Sequence, residues 1–194
     1  AGRPRALRGG GSAVGGGAQE RARAEAMASR ARRLVADLSA AAGNAQRTAE
    51  LLGDGRRVNE ADALGMTALH WAAHDGLAEV VRLLLARQDV EVNQSDAEGC
   101  TALILASHNG RIEVVRLLLA RQDVDVNRAV IEGWTALMLA SQNGHIEVVR
   151  LLLARQDVEL NQSNAEGGTA LIMASQDGHL EVVQLLLAHQ DVDV

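Results

Sequence analysis

The side chains best equipped for chemistry in this chain are one cysteine, Cys100, and six histidines. A cysteine nucleophile needs a base in reach, a third group to orient that base, and amide donors for the developing oxyanion. His108 follows Cys100 in sequence, but no orienting group or oxyanion set accompanies the pair. His70 and His74 stand at i, i+4, a spacing that can present two imidazoles to one metal. A zinc protease would carry Glu directly after the first histidine, where this chain has Trp71, and no third ligand lies nearby. Asp123-x-Asp125-x-Asn127 imitates the start of a calcium loop, which needs Gly at its sixth position and a bidentate Glu at its twelfth. Those positions hold Arg128 and Trp134; the sister runs from Asp89 and Asp157 meet Gln94 and Cys100, and Gln162 and Gly168. The expectation is no enzyme, no metal and no cofactor.

What is missing narrows the field further. All 19 positive side chains are arginines and no lysine occurs, so a phosphate-loop lysine and Schiff-base chemistry are excluded. Phe and Tyr are absent, and Trp71 and Trp134 alone cannot build a base-stacking surface. The net charge of −6 divides unevenly: 11 Arg face 7 acidic residues over 1–64, whereas 8 Arg face 18 over 65–194. A surface of that second sign repels a phosphate backbone, so no nucleic-acid partner is expected. Contact through the N-terminal arginines remains as a minor alternative. No run of 18 apolar residues exists, so no membrane span is expected. One cysteine cannot form an internal disulfide, and the chain reads as intracellular: cytoplasmic, with nuclear or organellar placement as alternatives.

Internal repetition decides the architecture. The string Glu-Val-Val-Arg-Leu-Leu-Leu-Ala-Arg-Gln-Asp-Val occurs at 79–90, 113–124 and 147–158, with a near copy at 181–192, always 34 residues apart. Upstream of each copy stands Gly-x-Thr-Ala-Leu, opening at Gly65, Gly99, Gly133 and Gly167. Thr67, Thr101, Thr135 and Thr169 are natural N-caps for a first short helix, and Gly76, Gly110, Gly144 and Gly178 suit its end. Val80, Val81, Leu84 and Leu85 give the second helix a broad apolar face. Ser107, Ser141 and Ser175 recur as small core spacers rather than nucleophiles. Such a helix pair cannot bury its face alone; stacked neighbours can. The units run 65–98, 99–132, 133–166 and 167–194, preceded by a degenerate cap unit at 34–64. Residues 1–33, rich in Gly and Arg, read as a disordered or linker segment, with an organelle transit peptide as the alternative.

These units resemble the ankyrin repeat, whose signature is Thr-Pro-Leu-His-x-Ala. The likeness rests on Gly65-Met-Thr-Ala-Leu-His-Trp-Ala-Ala-His-Asp-Gly, on Glu79-Val-Val-Arg-Leu-Leu-Leu and on Val92-Asn93. It implies a mainly α solenoid of stacked helix-turn-helix units with protruding β-hairpin-like loops. Two departures stand out. The turn after the second helix is one residue longer than the family's, and only His70 keeps the signature histidine, replaced by Ile104, Met138 and Ile172. In the family that histidine ties neighbouring loops, so weaker inter-repeat bonding is expected at those three positions.

By the same resemblance, partners meet three columns. The loop tips are represented by Leu64, Glu98, Ile131 and Glu166; the post-glycine column by Met66, Cys100, Trp134 and Gly168; the first-helix ends by His74, Asp75, His108, Asn109, Gln142, Asn143, Gln176 and Asp177. Val130, Ile131 and Trp134 concentrate apolar area on one hairpin and are the expected hot spot. Asn93, Asn127 and Asn161 are the positions an asparaginyl hydroxylase would modify. The expected function is a non-enzymatic protein-protein interaction scaffold or adaptor. The alternative is a regulatory or targeting array within a larger enzyme, ubiquitin-ligase adaptor or channel. With no polar terminal helix in the last unit, Val182, Val183, Leu186 and Leu187 are expected to be uncovered, giving a monomer or weak self-association.

Overall fold

The computed structural model describes residues 30–40, 50, 51, 53 and 58–189. The expectations for the Gly/Arg-rich segment before residue 30 lie outside the described residues. Helix α1 covers 30–40 and buries Ala31, Leu34, Val35 and Leu38, a single stripe at i, i+3, i+4 and i+7 spacing. It therefore runs across the boundary expected between 33 and 34. The apolar stripe already includes Ala31.

Residues 50 and 51 are also helical, and among the described residues eight helices then follow in pairs: α2 (Ala68–Asp75) with α3 (Ala78–Leu85), α4 (Ala102–His108) with α5 (Ile112–Leu119), α6 (Ala136–Gln142) with α7 (Ile146–Leu153), and α8 (Ala170–Gln176) with α9 (Leu180–Leu187). Helices of two turns are marginal in isolation, so their ends and their packing must hold them. Each first helix starts at its threonine, whose side-chain oxygen accepts from the amide of His70, Ile104, Met138 or Ile172. The expected glycines all have positive φ, from 65° to 78°. Only Gly76 is itself the helix C-cap; in the later pairs Asn109, Asn143 and Asp177 take that place and the glycine follows.

First helices stack in one row, α2 on α4 on α6 on α8, and second helices form the other, α3 on α5 on α7 on α9. Alanines at 68, 72 and 73 keep the first row close, while Val80, Val81 and Leu84 and their sisters fill the space between rows. Leu84, Leu118, Leu152 and Leu186 are wholly buried, each contributing about 2 kcal/mol through loss of apolar area from water. In the last pair Leu187 is exposed as expected and Val183 is half-buried, but two of the four named side chains depart from the expectation. Val182 and Leu186 are buried against the preceding repeat, whereas Leu180, Leu187 and Ile172 are exposed. Leu186 and Leu187 are neighbours in sequence, but one residue rotates a helical side chain by about 100° and puts them on different faces. Among the described residues, no helix is long and apolar enough to cross a membrane.

A candidate protein-interaction edge

Between successive helix pairs the chain turns through a short hairpin. Backbone bonds close each one: Asp62 N–H to Met66 O, Asp96 N–H to Cys100 O, Val130 N–H to Trp134 O and Asn164 N–H to Gly168 O, all at 2.9–3.0 Å. In three of the four hairpins the first residue also accepts two amides through its side chain. Asp62 Oδ1 takes Leu64 and Met66, Asp96 Oδ1 takes Glu98 and Cys100, and Asn164 Oδ1 takes Glu166 and Gly168, at 2.8–3.0 Å. Val130 has no acceptor to offer at that position. Its hairpin is instead marked by an antiparallel bridge between Ala129 and Thr135.

The hairpins are bonded to one another. Ala97 N–H donates to Leu64 O (2.9 Å), Ile131 N–H to Glu98 O (3.4 Å) and Ala165 N–H to Glu132 O (2.9 Å), so the tips form a continuous backbone-linked edge. His70 adds a side-chain tie in the first repeat only. Its Nδ1 accepts the Thr67 amide at 3.1 Å, which leaves the proton on Nε2 to be donated to the Cys100 carbonyl at 3.1 Å. Burial holds this imidazole below its ordinary pKa. The positions of Ile104, Met138 and Ile172 lack that bond, but the backbone ladder continues past them.

The expected contact residues do not share one fate. Ile131 is 80% exposed and Leu64 57%. Glu98, Glu166, His74, Asp75, His108, Asn143, Gln176 and Asp177 are also exposed. Met66 is buried: as the first side chain of its column it is packed into the core and offers no contact surface. Cys100, Val130 and Trp134 are half-buried and packed against the core, so of the apolar side chains on the hairpin at 130–134 only Ile131 projects into solvent. Gln142 is half-buried, and Asn109 and Asn143 turn their amide groups back to cap their own helices, donating to Leu105 O and Leu139 O at 2.8 Å. His74 is engaged by Asp75 at 2.8 Å. Burial, Asp96 and Glu98 push the Cys100 thiol up to about 11, so it stays protonated near neutral pH and is no thiolate nucleophile. Among the described residues no group of His, Cys, Asp or Glu could hold a metal ion.

Several side chains that looked like chemistry turn out to stitch repeats together. Asn93 donates to Asp123 O (2.7 Å) and accepts the Asp125 amide (2.8 Å); Asn127 does the same to Asp157 and Glu159, and Asn59 to Asp89 and Glu91. Arg121 forks onto both oxygens of Asp123 at 2.7–2.8 Å while its other nitrogen reaches the carbonyls of Leu85 and Arg87 at 3.3 Å. Arg155 repeats this with Asp157, Leu119 and Arg121. The guanidinium hydrogen bonds hold the Asp123 and Asp157 carboxyls below the usual carboxylate range. The calcium-like letters are loop stitching.

A further column escaped the sequence reading. Arg111, His145 and His179 each reach back one repeat to the end of its first helix, donating to His74 O, His108 O and Gln142 O at 2.8–3.1 Å. They lie against Gly76, Gly110 and Gly144, where an added Cβ would meet them at 2.5–2.8 Å. The signal was available: polar residues directly after a recurring glycine, 34 apart.

No curated protein matches the chain significantly. The family model described as ankyrin repeats (3 copies) matches residues 38–130 and 121–194. Threonine-capped helix pairs, bonded hairpins and that match agree, and the chain belongs to the ankyrin repeat family.

Proposed function

We propose that this chain is a non-enzymatic interaction scaffold or adaptor that engages another protein through the hairpin edge and the adjoining first-helix ends. Domains of this family are in general protein-protein interaction modules. The observation that carries the finer reading is Ile131, a β-branched apolar side chain 80% exposed on a backbone-linked edge. A rigid apolar projection of this kind binds at little conformational cost. Trp134 and Val130, on the same hairpin and packed against the core, supply the half-buried part of the hot spot.

A photo-crosslinking amino acid at position 131 is expected to capture a protein from the native cell, and the same group at Glu113 on the outer face is not. Equal capture at both positions defeats the assignment. Trp134→Ala is expected to weaken the captured partner by about 2 kcal/mol. Ile131→Ser separates binding from folding, because its side chain is already in water.

A second reading, weak self-association, draws on the outer face of the last repeat. Ile172 is 41% exposed where its sisters Ile104 and Met138 are 2% and 1%. Sedimentation that stays strictly monomeric with rising concentration removes the self-association.

A further inference from the structure

The apolar edge is flanked by uncompensated charge. Ile131 N–H donates to Glu98 O, and the carbonyl of the next residue, Glu132, accepts from Ala165 N–H, beside Glu166. All three glutamates are exposed. On the outer side of the stack glutamates are neutralised within their own helix: Glu79, Glu113 and Glu147 pair with Arg82, Arg116 and Arg150 one turn on, at 3.5, 3.4 and 3.7 Å. The edge glutamates make no ion pair among the described residues, and the nearest basic residue in these hairpin segments is Arg128.

The edge also has a period. Packed helices, and therefore successive tips, are separated by about 8–10 Å. A polyproline II segment rises about 3.1 Å per residue and has three residues per turn, so every third side chain of an extended segment laid along the edge faces it and meets the next tip. We propose that the hairpin edge takes an extended polypeptide segment carrying a basic residue at about every third position with aliphatic residues between, the cations over Glu98, Glu132 and Glu166 and an aliphatic side chain against Ile131. This rests on the edge being the interaction surface. Opposite charge raises the encounter rate and excludes acidic competitors, and Ile131 supplies the contact that excludes water.

The test uses the full chain and fluorescein-labelled peptides of repeated Arg-Leu-Ala triplets, with Glu-Leu-Ala and Arg-Ser-Ala versions for comparison, read by fluorescence anisotropy. The Arg-Leu-Ala peptide is expected to bind, more weakly as salt rises, and the other two are not. Joint replacement Glu98→Gln, Glu132→Gln and Glu166→Gln is expected to weaken it about tenfold or more, and Ile131→Ser by a similar factor, with melting curves unchanged. If Glu-Leu-Ala binds as well and depends on Ile131, the edge remains the interaction surface and the basic partner is overturned. If Arg-Leu-Ala binds equally to all variants, both are overturned. If no peptide binds until Arg3, Arg5 and Arg8 are replaced by Gln, the chain's own N-terminal arginines hold the edge and an external partner is overturned. Failure of every peptide on every variant also overturns the proposal.

Discussion

The loop-and-second-helix side of this molecule and its hairpin edge are built from the same 34-residue units, yet they use polar groups in opposite ways. On the loop side recurring polar side chains are committed to the neighbouring repeat: Asn93 and Asn127 bridge two backbone groups each, and Arg121 and Arg155 combine a carboxylate fork with two carbonyls. The sequence there hardly changes from unit to unit, because each letter is a bond partner for the same letter next door. On the edge the tips are joined to one another by backbone bonds, which leaves the side chains at the tips free to differ. Repetition marks the part that holds the array; variation marks the part that can meet something else.

The sharpest way to break the contrast is at the glycines that receive the next repeat's side chain. Gly144→Val puts a β-branched residue at φ 69° and a Cβ 2.5 Å from His179. A loss of about 3 kcal/mol in urea unfolding is expected, and a loss under about 1 would mean that the His179 stitch yields easily. Next comes Asn93→Ala, which strands one carbonyl and one amide: about 2 kcal/mol is expected, against under about 0.5 for Ile131→Ser. Equal costs for the two would erase the distinction between holding and meeting surfaces.

A smaller effect of opposite sign is expected where the edge has given up a bond. Val130→Asp restores the acceptor that Asp62 and Asp96 supply and is expected to raise stability by about 1 kcal/mol, while weakening the apolar contact around Ile131. An unchanged melting temperature would show that Val130 packing already compensates.

The smallest effect is a slope with pH. His70 is buried and its pKa is lowered, so the unfolded chain binds its proton more readily than the folded one. Its contribution is complete above the unfolded pKa of about 6.5 and is lost as pH falls below that value toward the lowered folded pKa. His70→Ile, the residue found at the sister positions 104 and 172, is expected to flatten the stability profile just below pH 6.5 relative to the parent. Parallel profiles for the two proteins would place the slope on other groups.

Most of the fold was legible because its causes are local. Threonine caps, positive-φ glycines and the Val-Val-x-x-Leu face act within one unit and recur four times. The helix of the cap unit was legible in outline, since the Arg/Ala composition of 18–33 allows a helix running into the cap, whereas the burial of Ala31 depends on packing. The candidate edge was half legible. Ile131 could be placed at a tip from spacing alone, but Met66 and Trp134 occupy one column and differ in burial, which depends on the neighbours each packs against. Asn109 and Asn143 were read as contact residues, yet each sits within bonding distance of its own last helical turn. Side chains that can satisfy a nearby carbonyl do so before they reach outward.

Every stitch described above reaches no further than the adjacent repeat, and its partner there bears the same kind of group at the same offset. Asn93 would find in Asp157 and Glu159 the carbonyl and amide that it now finds in Asp123 and Asp125. Excising residues 99–132 therefore removes one link of a chain and leaves the two cut ends matched, with Arg155 closing on Arg87 as Arg121 did. Gain or loss of 34 residues thus leaves each remaining stitch with a partner of the same kind, and it lengthens or shortens the edge by one tip.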